Sequence, residues 1–270
     1  MASDIRDRST HARLLRPWPD LGFRPLLVGL LLLVAYGWAL SGTDVHPASL
    51  WRGLPAAGDF LRRLFPPAWK LEPMSIAGTA WVVPMPEVAL AIVETVQMAL
   101  VATTAATVIA LPIGLLAART TSPHAVVYQT TRFALNVIRA VPDIIYGLMF
   151  VAAVGLGPFS GVLALTVGAL GSMGKLYAEA IESIDPNQVR AIVATGATRG
   201  QTVIFGVMPQ ALPLVASYAI LLFEVNVRSA SVLGLVGAGG VGFLLSKYMA
   251  LFQYQYLIGA LILLVTAVTA

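Results

Sequence analysis

Cysteine is absent from the 270 residues. Its absence excludes disulfides, thiolate chemistry and cysteine-held metals. Histidine occurs three times, scattered and without a paired acid, which makes neither a metal site nor a catalytic triad. Charged residues are scarce, at 11%, where a soluble domain carries about 25%. Such a chain cannot cover a globule with polar surface. What it has instead is 58% hydrophobic residues and a mean hydropathy of +0.82. The class that remains is an all-α, polytopic membrane protein with the lipid bilayer as its surroundings. The net charge of +4 reads as the cytosolic arginine and lysine excess of such a protein. It does not read as a nucleic-acid surface.

Residues 1–24 are polar and basic, with Arg6, Arg8, Arg13, Arg16 and Arg24 against Asp4, Asp7 and Asp20. That flank favours the cytosol. The apolar run 25–40 follows. Its order of basic flank, apolar run and Ala39-Leu40-Ser41 also fits a secretory signal, but a retained anchor is the expectation. Residues 42–86 form the longest loop. Within it, Trp51, Leu54, Phe60, Leu61, Leu64 and Phe65 beside Arg62 and Arg63 suit a helix lying in the bilayer interface. Docking of an extracytoplasmic partner and simple packing on the membrane both fit that helix. Further crossings are expected at 88–118, 143–156, 162–181, 212–233 and 252–270. The segment 124–142 is read as an interfacial helix that Pro142 ends or kinks. Gly168, Gly171 and Gly174, three apart, would let another helix approach closely. The expected division is 1–86, holding the first crossing and the loop, and 87–270, holding the remaining membrane helices.

One stretch interrupts the apolar text. Asp185-Pro186-Asn187-Gln188 starts a helix: Asp185 accepts free N–H groups, Pro186 suits the first turn and Gln188 can bond back. Gly196 is placed to stop that helix in a left-handed conformation. Thr198-Arg199-Gly200-Gln201 has the form of a second capping box. Pro209 and Pro213 open the next crossing. The prediction is a helix–glycine–helix elbow over 185–208, on the cytosolic side, able to fit the groove of a partner. An ordinary connection needs only two to eight residues and no double cap.

The elbow resembles the coupling loop of ABC importer permeases, whose pattern is Glu-Ala-Ala, three residues, Gly, nine residues, Ile-x-Leu-Pro. Arg190-Ala191-Ile192, Gly196 and Gly206-Val207-Met208-Pro209 stand in register with it. Ala191, Gly196 and Pro209 match, whereas Arg190 stands where the pattern has an acid. The blocks 150–165, 177–197, 205–218 and 223–242 resemble, more closely, the phosphonate ABC transporter permease. This resemblance implies a type I importer permease of the bacterial inner membrane. Its core would be five transmembrane helices, methionine-importer-permease-like, plus one N-terminal helix, with both termini cytosolic. It implies a homodimer, two ATP-binding subunits and a periplasmic substrate-binding protein. ATP and Mg would sit in the ATPase subunits and no cofactor on this chain. Coupling is then expected at Asp185, Arg190, Ala191, Ile192, Gly196, Ala197, Thr198 and Gln201. A phosphonate or phosphite-like anion is the implied substrate. Another small anion or an amino acid such as methionine is the alternative within transport, and an ATPase-independent channel or scaffold the alternative outside it.

Two glycine motifs fail on inspection. Gly237 to Gly242 fits G-x-G-x-x-G, but a long apolar helix precedes it and no acid follows Glu224. Gly168 to Lys175 has the wrong spacing for a phosphate loop. Close backbone packing near a gate is the reading for Gly237 and Gly239. Three opposite-charge pairs lie four apart: Arg139 with Asp143, Lys175 with Glu179, and Glu224 with Arg228. The last lies deepest, and charge at membrane depth faces a cavity or a partner. Glu224, Asn226, Arg228 and Ser229 are therefore candidates for the pathway, with a structural clamp the other reading.

Overall fold

The computed structural model describes residues 23–43, 47–64 and 85–269. The basic segment before residue 23, the loop 65–84 and the expectations attached to them lie outside the described residues. Every regular element described is helical. The chain divides into one unit through Leu61 and one from Arg62 onward.

In the first unit, α1 (Phe23–Gly42) is apolar throughout and about 30 Å long. It is long enough to cross a bilayer. The helix α2 (Pro47–Leu64), whose last three residues fall past the unit boundary, carries Pro55 within it and Arg62 and Arg63 in its last turn. Trp51, Leu54 and Leu61 recur at helical spacing and are exposed, as the amphipathic pattern predicts.

The second unit is built around α3 (Met85–Ala117) and α6 (Pro158–Glu182). Around them lie α4 (Ala125–Ala140), α5 (Asp143–Val154), α7 (Pro186–Ala194) and α8 (Arg199–Thr202). Then come α9 (Met208–Leu233), α10 (Gly240–Ala250) and α11 (Tyr254–Thr269). Small side chains set the close spacing. At one end Met98 and Ala102 of α3 meet Ala164 and Leu165 of α6 and Ala230 and Leu233 of α9. In the middle Ala106 and Ala110 meet Ala169, Met173 and Tyr177, with Val215 and Leu222. At the far end Ala117 and Ala118 meet Ala178, Ile181, Val207 and Ala211. Residue numbers rise together along α3 and α6 and fall along α9. Thus α3 and α6 run parallel, α9 runs against them, and residues 182–208 share one end with the α3–α4 turn.

Pro142 kinks the chain between α4 and α5 by 84°. Proline lacks an N–H and forces Val141 into an extended conformation (ψ 122°). The Tyr146 hydroxyl donates to the Ile138 carbonyl at 3.0 Å, satisfying an acceptor beside the break. This bend lies against the predicted glycine stripe. A Cβ at Gly171 would stand 2.9 Å from the Arg139 backbone nitrogen, and one at Gly174 would stand 2.7 Å from Leu135. The three glycines thus seat one bent element, α4–α5. Among the described residues four helical stretches are long and apolar enough to cross a membrane, and five if the bent pair is one span. The sixth predicted crossing is α11, 16 residues and about 24 Å long.

Candidate functional site

The elbow is built as its residues dictate. Asp185 caps α7 by accepting the Asn187 N–H at 2.9 Å. Its own N–H donates to Gln210 Oε1 at 3.1 Å, and Gln210 Nε2 donates to the Gly206 carbonyl at 2.7 Å. The expected return bond from Gln188 is therefore replaced: Gln210, on the first turn of α9, takes that acceptor role. Reaching the same group from across the elbow, it ties entrance to exit. Gly196 follows α7 with φ +84° and open space around it. Thr198 and Gln201 form the predicted box. Thr198 N–H donates to Gln201 Oε1 at 2.9 Å, and the Gln201 N–H donates to Thr198 Oγ1 at 3.5 Å. From Arg199 the backbone stays helical to Leu233, passing through a π turn at Val203–Val207. The Met208 N–H reaches back to the Val203 carbonyl, and Pro209, which has no N–H, follows.

The elbow has two faces. Val189 and Ile192 turn toward Gly206, where an added Cβ would lie 3.7 Å from Ile192. Arg190, Ala191, Thr198 and Gln201 are exposed, and Ala197 is half-buried. So Ile192, expected as a contact residue, seats the helix, while Arg190 and Ala191 are presented outward.

Behind the elbow lies a joint that the sequence reading did not single out. Glu182, the last residue of α6, accepts the Arg119 backbone N–H at 2.7 Å and Arg132 Nη2 at 3.0 Å. Arg132 also donates through Nε to the Ala117 carbonyl at 3.0 Å, and its guanidinium lies 4.8 Å from the centre of the Tyr128 ring. The ends of α3 and α6 are thereby fastened to the middle of α4. A cavity of about 670 Å³ opens between this joint and the elbow, lined by Thr120, Thr121, Ser122, Glu182, Arg190 and Arg199 among others.

The candidate pathway residues fall on different faces of α9. Asn226 is buried and donates from Nδ2 to Thr103 Oγ1 at 2.8 Å, joining α9 to α3. Ser229 donates to Asp143 Oδ2 at 2.9 Å, joining α9 to the start of α5. Glu224 and Arg228 form the predicted ion pair on the opposite, exposed face, each more than half accessible. Among the described residues the other two predicted pairs do not form. Arg139 and Asp143 flank the Pro142 break, so they are not one turn apart on a continuous helix. Asp143 bonds Ser229 instead. Lys175 and Glu179 share α6, but in the less favourable order, with the cation nearer the N-terminus.

The glycine-rich segment has the close packing expected of it. Gly237 (φ +94°) and Gly239 (φ +83°) turn the chain from α9 into α10. The Gly157 N–H donates to the Gly237 carbonyl at 3.0 Å, binding this turn to the α5–α6 connection. A second unforeseen tie holds it to α3. Buried Thr95 Oγ1 accepts the Val241 N–H at 2.9 Å, supplying a partner for an end group of α10.

Comparison with known proteins places this architecture. Residues 110–270 match the family model "Binding-protein-dependent transport system inner membrane component". The chain is 36% identical over 252 residues to the phosphite transport system permease protein PtxC of Stutzerimonas stutzeri, covering 93% of this chain and 86% of that protein. It is 40% identical over 172 residues to the phosphate-import permease protein PhnE of Mycolicibacterium smegmatis, covering 64% of this chain and 32% of that one. Among solved structures, an inward-facing form of the MetNI methionine ABC transporter aligns with a TM-score of 0.61 and 28% identity. That alignment covers 68% of this chain and 91% of the other.

Proposed function

The chain belongs to the binding-protein-dependent transport system inner membrane components, and from that premise we propose that it carries a phosphorus oxyanion, phosphite or a phosphonate, into the cell. The carrying observation is the 36% identity to a phosphite permease along nearly the whole chain. In this reading two copies form the pathway, with the elbow ends and both termini in the cytosol. Two ATPase subunits dock on the elbows, and a periplasmic protein delivers the anion at the glycine-rich end. ATP closes the ATPases and moves residues 185–208. The helical run from Arg199 to Leu233 supports this mechanism, because a continuous helix transmits displacement along its axis. It would carry the motion about 50 Å, past Glu224 and Arg228. Arg228, on the exposed face of α9, then supplies positive charge to the passing anion.

The test is uptake of labelled phosphite, phosphonate and methionine in cells lacking their own carriers, with the neighbouring ATPase and binding protein present. Uptake of either phosphorus compound, and its loss in Gly196→Trp with the complex still assembled, is the expected outcome. Preference for methionine would overturn the substrate. Unchanged uptake and ATPase stimulation in Gly196→Trp would overturn the coupling role of the elbow.

A further inference from the structure

The cavity beside the elbow carries an unbalanced charge. Its lining holds two guanidinium groups, Arg190 from α7 and Arg199 from the first turn of α8, and one carboxylate, Glu182. That carboxylate is already engaged, since its two oxygens accept from Arg132 and from the Arg119 backbone. Among the described residues neither Arg190 nor Arg199 has a carboxylate partner. Thr120, Thr121 and Ser122, from the α3–α4 turn, also line it. Both arginines are exposed where they line the cleft, one on each capped helix of the elbow.

We infer that this cleft receives an acidic side chain of the partner ATPase, so that Arg190 forms an ion pair across the interface with an Asp or Glu of that subunit. The inference rests on the reading of residues 185–208 as the ATPase dock. Charge complementarity decides the occupant. A guanidinium presented without a counter-charge favours a planar carboxylate, to which it donates two parallel hydrogen bonds. A basic ATPase surface would instead meet like charge and be rejected. The elbow would thus select its ATPase by charge: subunits whose groove is basic at this point would be excluded. At about 670 Å³ the cleft is far larger than a phosphite or phosphate ion and suits an inserted side chain with part of its backbone.

The experiment uses the whole complex. The chain is co-purified with the ATPase encoded beside it, as wild type, Arg190→Lys and Arg190→Glu, at low and high salt. Wild type and Arg190→Lys should retain the ATPase, and retention should weaken with salt. Arg190→Glu should lower the affinity at least about tenfold. One Asp or Glu of the ATPase docking face, reversed to Arg, should restore assembly with Arg190→Glu. Retention of the ATPase by Arg190→Glu at wild-type affinity overturns the inference. So does a loss that no single acid reversal restores, including one that free phosphate or phosphite reproduces in the wild type. If Arg190→Glu does not accumulate in the membrane, Arg190→Gln asks the same question: its retention should fall and lose its salt dependence, and unchanged behaviour overturns the inference. A wild-type chain that never binds the ATPase overturns the docking assignment itself, which keeps the two failures distinct.

Discussion

A methyl group placed on Gly242 would run into the carbonyl oxygen of Ser231, and one on Gly234 would stand 2.6 Å from the Gly242 Cα. The crossing of α9 with α10 therefore depends on two missing side chains. Gly200, one residue into α8, has nothing within 4 Å of the same added carbon. Gly242→Ala should accordingly destabilise the solubilised protein by about 1–3 kcal/mol through overpacking. Gly200→Ala should be neutral or gain up to about 1 kcal/mol from helix propensity. Thermal unfolding of the two variants in one detergent checks the contrast, and equal melting temperatures would show that the crossing has slack. This difference is invisible in the residue letters, where both are glycines in helical text. Positive φ at Gly196 was legible because a cap signature followed it. The crossing partner of Gly242 was not, because that contact is set by how two helices meet. The split of Glu224, Asn226 and Arg228 was legible in principle, since two residues along a helix turn it by about 200°. Grouping them by charge and depth hid it.

At the scale of elements, termini and breaks were written locally and could be read. Asp185, the Thr198–Gln201 box and Pro142 each act on backbone within three or four residues, and all three act as expected. Ties between elements were not legible. Gln210 bonding Asp185, Thr95 capping α10 and Arg132 fastening Glu182 join residues 25 to 146 positions apart. No spacing rule points to such partners. Even the predicted i, i+4 pairs survive only where one straight helix carries both charges in the favoured order. The Arg132–Glu182 joint makes a specific claim. Both side chains are only 28% accessible, so removing the charge on one leaves the other poorly paired. Glu182→Gln keeps the shape and one acceptor oxygen but loses the ion pair. It should cost about 1–2 kcal/mol and raise amide exchange at residues 117–122 and in the first turns of α4. Exchange in α1, which belongs to the other unit, should stay as it was. Protection of 117–122 at the wild-type level would show that the joint carries no strength.

For the whole molecule, the arrangement places two classes of polar group at different tasks. Asn226 with Thr103 and Ser229 with Asp143 are turned inward and bind α9 to α3 and α5. Removing them should damage folding before transport. Glu224 and Arg228 are exposed on α9, inside a stretch long and apolar enough to cross a membrane, and among the described residues they pair with each other and join α9 to no other helix. A charge left there must earn its insertion cost, about 2.5–3.5 kcal/mol for an arginine at a helix centre, from water in a pathway or from a second copy. Arg228→Ala separates these outcomes. If Arg228 serves the anion, the variant should accumulate, dimerise and bind the ATPase normally, while phosphite uptake falls by tenfold or more and basal ATP hydrolysis persists. If it serves the dimer, assembly and uptake should fall together. Arg228→Lys sharpens the distinction: a pathway charge should be partly rescued by any cation, whereas a bidentate clamp across an interface should not. Uptake and dimer content measured on the same membranes decide it, and unchanged values of both would remove Arg228 from either role.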